Sequence, residues 1–209
     1  MDDSEPGTAG FGRDSSKAMT ETKPPVPGHR EAWAAGIAFA WALAEATVFF
    51  ISPDILLTRL ALRDFRSAAR AGVWAVAGAL LGGALLWFAA EHGEAGALLR
   101  LFERTPGINA ALVQRTAQEF SEQGLAALFT GALRGHPYKL FAVHAGAANV
   151  PLAAFLAVSA CARSFRFMAS ITLAWIAGRA LRRRSVAFRH WAHAFFWSAF
   201  YVIYFVAMH

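Results

Sequence analysis

Apolar residues gather in four long stretches. Residues 32–51 (AWAAGIAFAWALAEATVFFI) carry one charge, Glu45, and residues 71–90 (AGVWAVAGALLGGALLWFAA) carry none. Residues 152–178 form a third stretch, interrupted only by Arg163 and Arg166, and residues 191–208 close the chain with aromatics at both ends. Twenty helical residues rise about 30 Å, the thickness of a bilayer's hydrocarbon core, so this pattern predicts helices that enter or cross a membrane. Two further apolar stretches, 55–62 and 125–133, are too short to cross. The first follows Ser52-Pro53-Asp54 and the second precedes Arg134-Gly135-His136-Pro137. Short apolar runs beside a proline break are candidates for re-entrant segments, and such backbone survives at membrane depth only inside protein or beside a wet cavity.

The two halves share a layout. Pro53 and Pro137 each mark a break, and the long helices that follow end in ALLWFAA (84–90) and TLAWIAG (172–178). The Trp87–Trp175 offset is 88 residues against 84 for the two prolines, a slip of one helical turn. Matching broken helices in two halves are the pattern of inverted-repeat transporters. The expected fold is therefore an all-α integral membrane protein. It consists of an inverted repeat of two re-entrant helical hairpins, each followed by a transmembrane helix, plus a C-terminal transmembrane helix. A polar, proline-containing tail over 1–31 is expected to be disordered. The membrane domain is expected over 32–180, and a basic loop with the last span over 181–209.

Charge adds the orientation. Residues 1–31 are net −2 and residues 32–209 net +8. Arg59, Arg63, Arg66 and Arg70 crowd one polar segment, and Arg179, Arg182, Arg183, Arg184 and Arg189 another; the positive-inside bias puts both in the cytoplasm. Residues 91–124, richer in acids, suit an outer loop. The expectation is a multi-pass protein of a bacterial cytoplasmic membrane with its N-terminal tail inside and His209 outside. Composition agrees: 56% of residues are hydrophobic and 16% charged, against about 45–50% and 25% in soluble domains. A soluble enzyme or nucleic-acid-binding domain is thereby disfavoured despite the net charge of +6, and the single Cys161 excludes a disulfide framework.

Ionisable residues at membrane depth are functional candidates by default. Glu45 lies inside the first apolar stretch, and Asp54 falls in the first turn after the break, where Ser52 can cap and the helix dipole favours an anion. The second break has the opposite sign. With Pro137 at the first helical position, the amides of Tyr138 and Lys139 are free donors, and Arg134, His136 and Lys139 surround them. That combination reads as an anion site, most simply for phosphate. Ser159, Arg163, Arg166 and Ser170 share one stripe of the 152–178 helix, and two mid-helix arginines need partners, for which Glu45 and Asp54 are the acids at membrane depth. Gly78 and Gly82 make a small-residue face for close helix packing. No nucleotide-binding loop, zinc motif or recognisable nucleophile is present, so neither catalysis, a cofactor nor a metal is expected.

AEATVFFISPDILLTRLAL (44–62) and GALRGHPYKLFAVHAGAANVPLAAFLAVSACARSFRF (131–167) resemble the DedA family, also called the VTT-domain or SNARE-associated Golgi protein family, and its YqaA-like branch in particular. The matching features are Glu45, Pro53-Asp54, Pro137-Tyr138-Lys139 and Ala145-Gly146; where many members carry an arginine three residues after the second proline, this chain has Leu140. The resemblance implies two inverted hairpins meeting at the membrane centre and movement of phospholipid or polyprenyl phosphate between leaflets, in some members with proton coupling. The expected function is a lipid flippase or scramblase in which Arg134, Lys139, Arg163 and Arg166 neutralise a phosphate headgroup while Glu45 and Asp54 balance them when it is absent. Expected partners are membrane lipids with anionic phosphate headgroups and protons, with homo-oligomerisation allowed and nucleic acid excluded. A proton- or sodium-coupled transporter of a small anion, and a non-transporting envelope-assembly scaffold, remain as alternatives.

Overall fold

The computed structural model describes residues 27–208; residues 1–26, which make up most of the expected polar tail, and His209 lie outside the described residues. Among the described residues every regular element is a helix. Helix α1 spans Pro27–Thr47, α2 Asp54–Ala61 and α3 Phe65–Ala89. Helices α4 (Ala95–Phe102), α5 (Ala110–Gln123) and α6 (Ala127–Arg134) follow. The chain closes with α7 (Tyr138–Ala147), α8 (Leu152–Ala180) and α9 (Val186–Met208). The tail boundary expected at residue 31 moves back, because α1 already begins at Pro27, a residue suited to a helix start.

The expected outer loop over 91–124 is also corrected: it contains α4 and α5. Gly93, at φ 94°, bends the chain between α3 and α4, a conformation glycine adopts without steric cost. Asn109 caps α5 through the amide of Leu112 at 2.8 Å. Leu112, Val113, Thr116, Glu119 and Phe120 then form the buried stripe of that helix.

Among the described residues two helices are long and apolar enough to cross a membrane: Phe65–Phe102, bent at Gly93, and Leu152–Arg183. The latter stays continuous through Arg163 and Arg166. Small residues set the packing around α3. Ala38, Ala42 and Ala46 of α1 are fully buried, as are Ala68, Ala75 and Ala79 of α3. A methyl group on Gly78 would strike the backbone carbonyl of Phe39, and one on Gly82 would come within 2.8 Å of Ala46 Cβ. The glycine face read from the sequence is thus the seam between α1 and α3. The opposite faces are apolar yet exposed: Val73, Trp74, Leu81, Leu85 and Phe88 on α3, and Phe165, Leu173 and Ile176 on α8. On α9, Phe195, Phe196, Val202 and Ile203 are likewise exposed. Small residues at the α1–α3 seam and large apolar residues on the outer faces differ from the pattern of a soluble bundle.

The candidate site at the two broken helix pairs

The first break is held by hydrogen bonds to its loop backbone. After α1 ends at Thr47, Trp41 Nε1 donates to the Ile51 carbonyl at 2.9 Å, and the Ser52 amide donates to the Tyr201 hydroxyl of α9 at 2.7 Å. The Ser52 hydroxyl donates to Asp54 Oδ2, so Ser52 fixes the carboxylate as well as lying beside the amide of Asp54. The second break turns at Gly135, whose φ of 80° ends α6. Pro137 is the cap residue, extended at ψ 125°, and α7 starts at Tyr138. The sequence placed Pro137 one position further in; its extended ψ keeps it outside the helix.

The two breaks meet. Lys139 Nζ donates to the carbonyl of Phe49 at 2.8 Å, linking the start of α7 to the first break. A pocket of about 90 Å³ lies between them, lined among others by Glu45, Ser52, His136, Lys139, Arg166 and Tyr201. That is room for a few water molecules.

The acids and arginines of the apolar stretches sort into two pairs. Arg163 Nη2 bonds Glu45 Oε2 at 2.9 Å, with the Arg163 side chain 3% exposed. Arg166 Nη2 bonds Asp54 Oδ2 at 2.8 Å and Ser52 Oγ at 3.1 Å. The Arg163 guanidinium lies 4.2 Å from the Tyr138 ring centroid, and that ring stacks on Phe155 at 5.9 Å. Cation–π contact of this kind is favourable when desolvated. Arg163 Nε and Nη1 remain buried without a hydrogen-bond partner. Lys139 is buried, forms no ion pair among the described residues, and sits 5.3 Å from the Phe102 ring.

Arg134 stands apart from this group. Its side chain is 57% exposed and bonds Glu119 Oε1 of α5 at 2.7 Å, while the buried His136 bonds Glu119 Oε2 at 2.9 Å. Of the six ionisable candidates read from the sequence, the structure therefore gathers Glu45, Asp54, Lys139, Arg163 and Arg166 and separates Arg134. Pro53 and Pro137 both border the breaks. Sequence reasoning missed Glu119, Tyr138 as the platform for Arg163, and Tyr201. The 3.6-residue apolar period over 112–120 is a signal that marks the Glu119 helix; Tyr201 lies in an aromatic run where nothing distinguishes it. Comparison with protein-family models, with curated proteins and with solved structures finds no match.

Proposed function

We propose that the chain is a DedA-like membrane transporter that moves a phosphate-bearing lipid, phospholipid or polyprenyl phosphate, between leaflets. In this reading α1–α2 and α6–α7 are re-entrant hairpins entering from opposite sides, and α3, α8 and α9 cross. The arginine-rich ends of α2 and α8 face the cytoplasm, following the positive-inside bias. The two membrane-length helices and the exposed apolar faces support the membrane setting, and the DedA resemblance supports the inverted arrangement.

The observation that carries the function is the charge balance at the pocket. Three buried or half-buried cations, Lys139, Arg163 and Arg166, face two carboxylates, Glu45 and Asp54. A desolvated ammonium held only by a carbonyl is costly, and an anion entering the pocket offsets that cost. Arg163, paired with the pocket-lining Glu45, keeps donors on Nε and Nη1 without a hydrogen-bond partner, and a guanidinium grips phosphate through a planar fork. An incoming phosphate competes with Glu45 and Asp54 for the paired arginines, and its departure restores the two pairs.

The pocket's size favours a second reading. About 90 Å³ is well below the roughly 300–1,000 Å³ of common ligand sites, and suits a small inorganic anion without rearrangement. Reconstituted vesicles separate the two. Movement of a fluorescent phosphate-bearing lipid without uptake of labelled inorganic phosphate supports the lipid reading, phosphate uptake alone supports the anion reading, and neither activity overturns transport.

A further inference from the structure

A second groove lies away from the central pocket. It has a volume of about 470 Å³ and runs between α2, α8 and α9. Leu173, Ala177, Phe196 and Phe200 make its walls apolar, and it is floored where His193 Nε2 meets Thr58 Oγ1 at 2.9 Å and Trp197 Nε1 donates to the same hydroxyl at 3.1 Å. The volume is in the range of ligand sites, and the lining is that of an acyl-chain channel.

One end of this groove is strongly cationic. Arg189 lines it directly, and its Nε is buried without a partner, as is Nδ1 of the adjacent His190. Arg63 Nη2 lies 3.3 Å from His190 Nε2, and the charges of Arg59, Arg63 and Arg189 converge on that imidazole. Among the described residues none of these three arginines forms an ion pair. The neighbouring Asp64 is engaged elsewhere, accepting from the Ser67 amide at 2.7 Å. Arg189 on the wall of an apolar channel, with Arg63 held against the adjacent His190 and Arg59 following the groove-lining Thr58 in sequence, calls for an amphiphile with a negative head. Basic pockets between membrane helices on the cytoplasmic side bind anionic headgroups in this manner.

We propose that this groove holds one anionic diacyl phospholipid as a resident ligand, its phosphate on Arg59, Arg63 and Arg189 and one acyl chain along Leu173, Ala177 and Phe196. The assignment rests on the membrane setting and not on transport, since none of these residues borders the Glu45–Arg163 pair. The lipid ties α9 to α2 and α8, and α9 in turn supplies Tyr201 to the first break.

The test uses the full chain, purified in a neutral detergent and stripped of lipid, with binding read by native mass spectrometry and by thermal unfolding. Phosphatidylglycerol should bind and raise Tm through the groove's arginines, whereas any effect of phosphatidylcholine or inorganic phosphate should be the same with those arginines and without them. Each arginine near a membrane surface contributes about a fivefold gain for anionic lipid, so the triple change Arg59→Gln, Arg63→Gln, Arg189→Gln should weaken phosphatidylglycerol binding about a hundredfold. Ala177→Trp, which fills the groove from an exposed position, should displace the lipid without removing any charge. Arg70→Gln, an exposed charge paired with Glu31 and outside both the groove and the central pocket, should bind phosphatidylglycerol like the wild type, whether or not transport survives. Equal binding of phosphatidylcholine would reduce the site to an apolar crevice and overturn the proposal. So would protection by inorganic phosphate that depends on these three arginines, or undiminished binding by both the triple and the Ala177→Trp variants.

Discussion

Replacing Glu45 with glutamine takes away the carboxylate that Arg163 holds at 2.9 Å and leaves a guanidinium that is 3% exposed without a counter-charge. Removing one partner of a buried pair costs about 3–5 kcal/mol. The Glu45 side chain borders the water-sized pocket and keeps 12% exposure, which places the loss near the lower end, about 3 kcal/mol. Arg163→Gln strands the carboxylate and also removes the stack on Tyr138, so it should cost at least as much. The double variant leaves two amides and no bare charge. It should therefore be destabilised by much less than the sum of the singles, with a coupling energy of about 2–3 kcal/mol. The Glu31–Arg70 pair provides the comparison, since its side chains are 53% and 61% exposed; there the coupling should stay below about 1 kcal/mol. Denaturant unfolding in detergent micelles, followed by tryptophan fluorescence, measures both cycles. Additive single changes at Glu45 and Arg163 would refute the buried pair, and equal coupling in the two cycles would refute the role of burial.

Three other outcomes follow from the packing. A methyl group added by Gly83→Ala would meet the Tyr138 hydroxyl and come within 2.8 Å of its Cζ; overpacking of this kind costs about 1–3 kcal/mol, and thermal unfolding should show it while translocation, which needs Tyr138 under Arg163, falls further than stability. Arg134→Gln should change translocation little, because that exposed guanidinium answers to Glu119 and not to the pocket; a loss as deep as that of Arg163→Gln would return Arg134 to the site. In a Cys161→Ala background, a cysteine replacing Arg104 should react with an impermeant thiol reagent from outside and one replacing Ser185 should not. Labelling of intact cells reads this directly, and the reverse pattern would invert the proposed orientation.

Much of the helical layout was legible because membrane-length helices announce themselves by composition. The uncharged run at 71–90 falls in α3 except for its last residue, the long run at 152–178 lies within α8, and Pro53 and Pro137 fall at real breaks. The acids and arginines that pair could also be named, because charges in apolar stretches have few alternatives. Which acid meets which arginine was not legible. That depends on how α1, α2 and α8 are set beside one another, and the Gly78 and Gly82 seam that sets α1 against α3 carries no charge information. The 91–124 segment was misread as a loop because its polar face, including Glu122 and Gln118, outweighs a buried stripe of only five residues. The partner of Arg134 was not legible for the related reason that Glu119 lies on that same overlooked helix.

The most direct test of the account is lipid translocation by Lys139→Gln in sealed proteoliposomes, scored against wild type at matched amounts of folded, inserted protein. Lys139 is the cation at the meeting of the two breaks that has a carbonyl and no carboxylate for a partner. Glutamine keeps a donor for the Phe49 carbonyl and removes the charge. The account predicts an inserted, stable protein in which movement of a phosphate-bearing lipid drops at least tenfold, the worth of about 1.4 kcal/mol of lost anion binding. Wild-type translocation by Lys139→Gln would contradict it and reduce the pocket's excess positive charge to a feature of the fold.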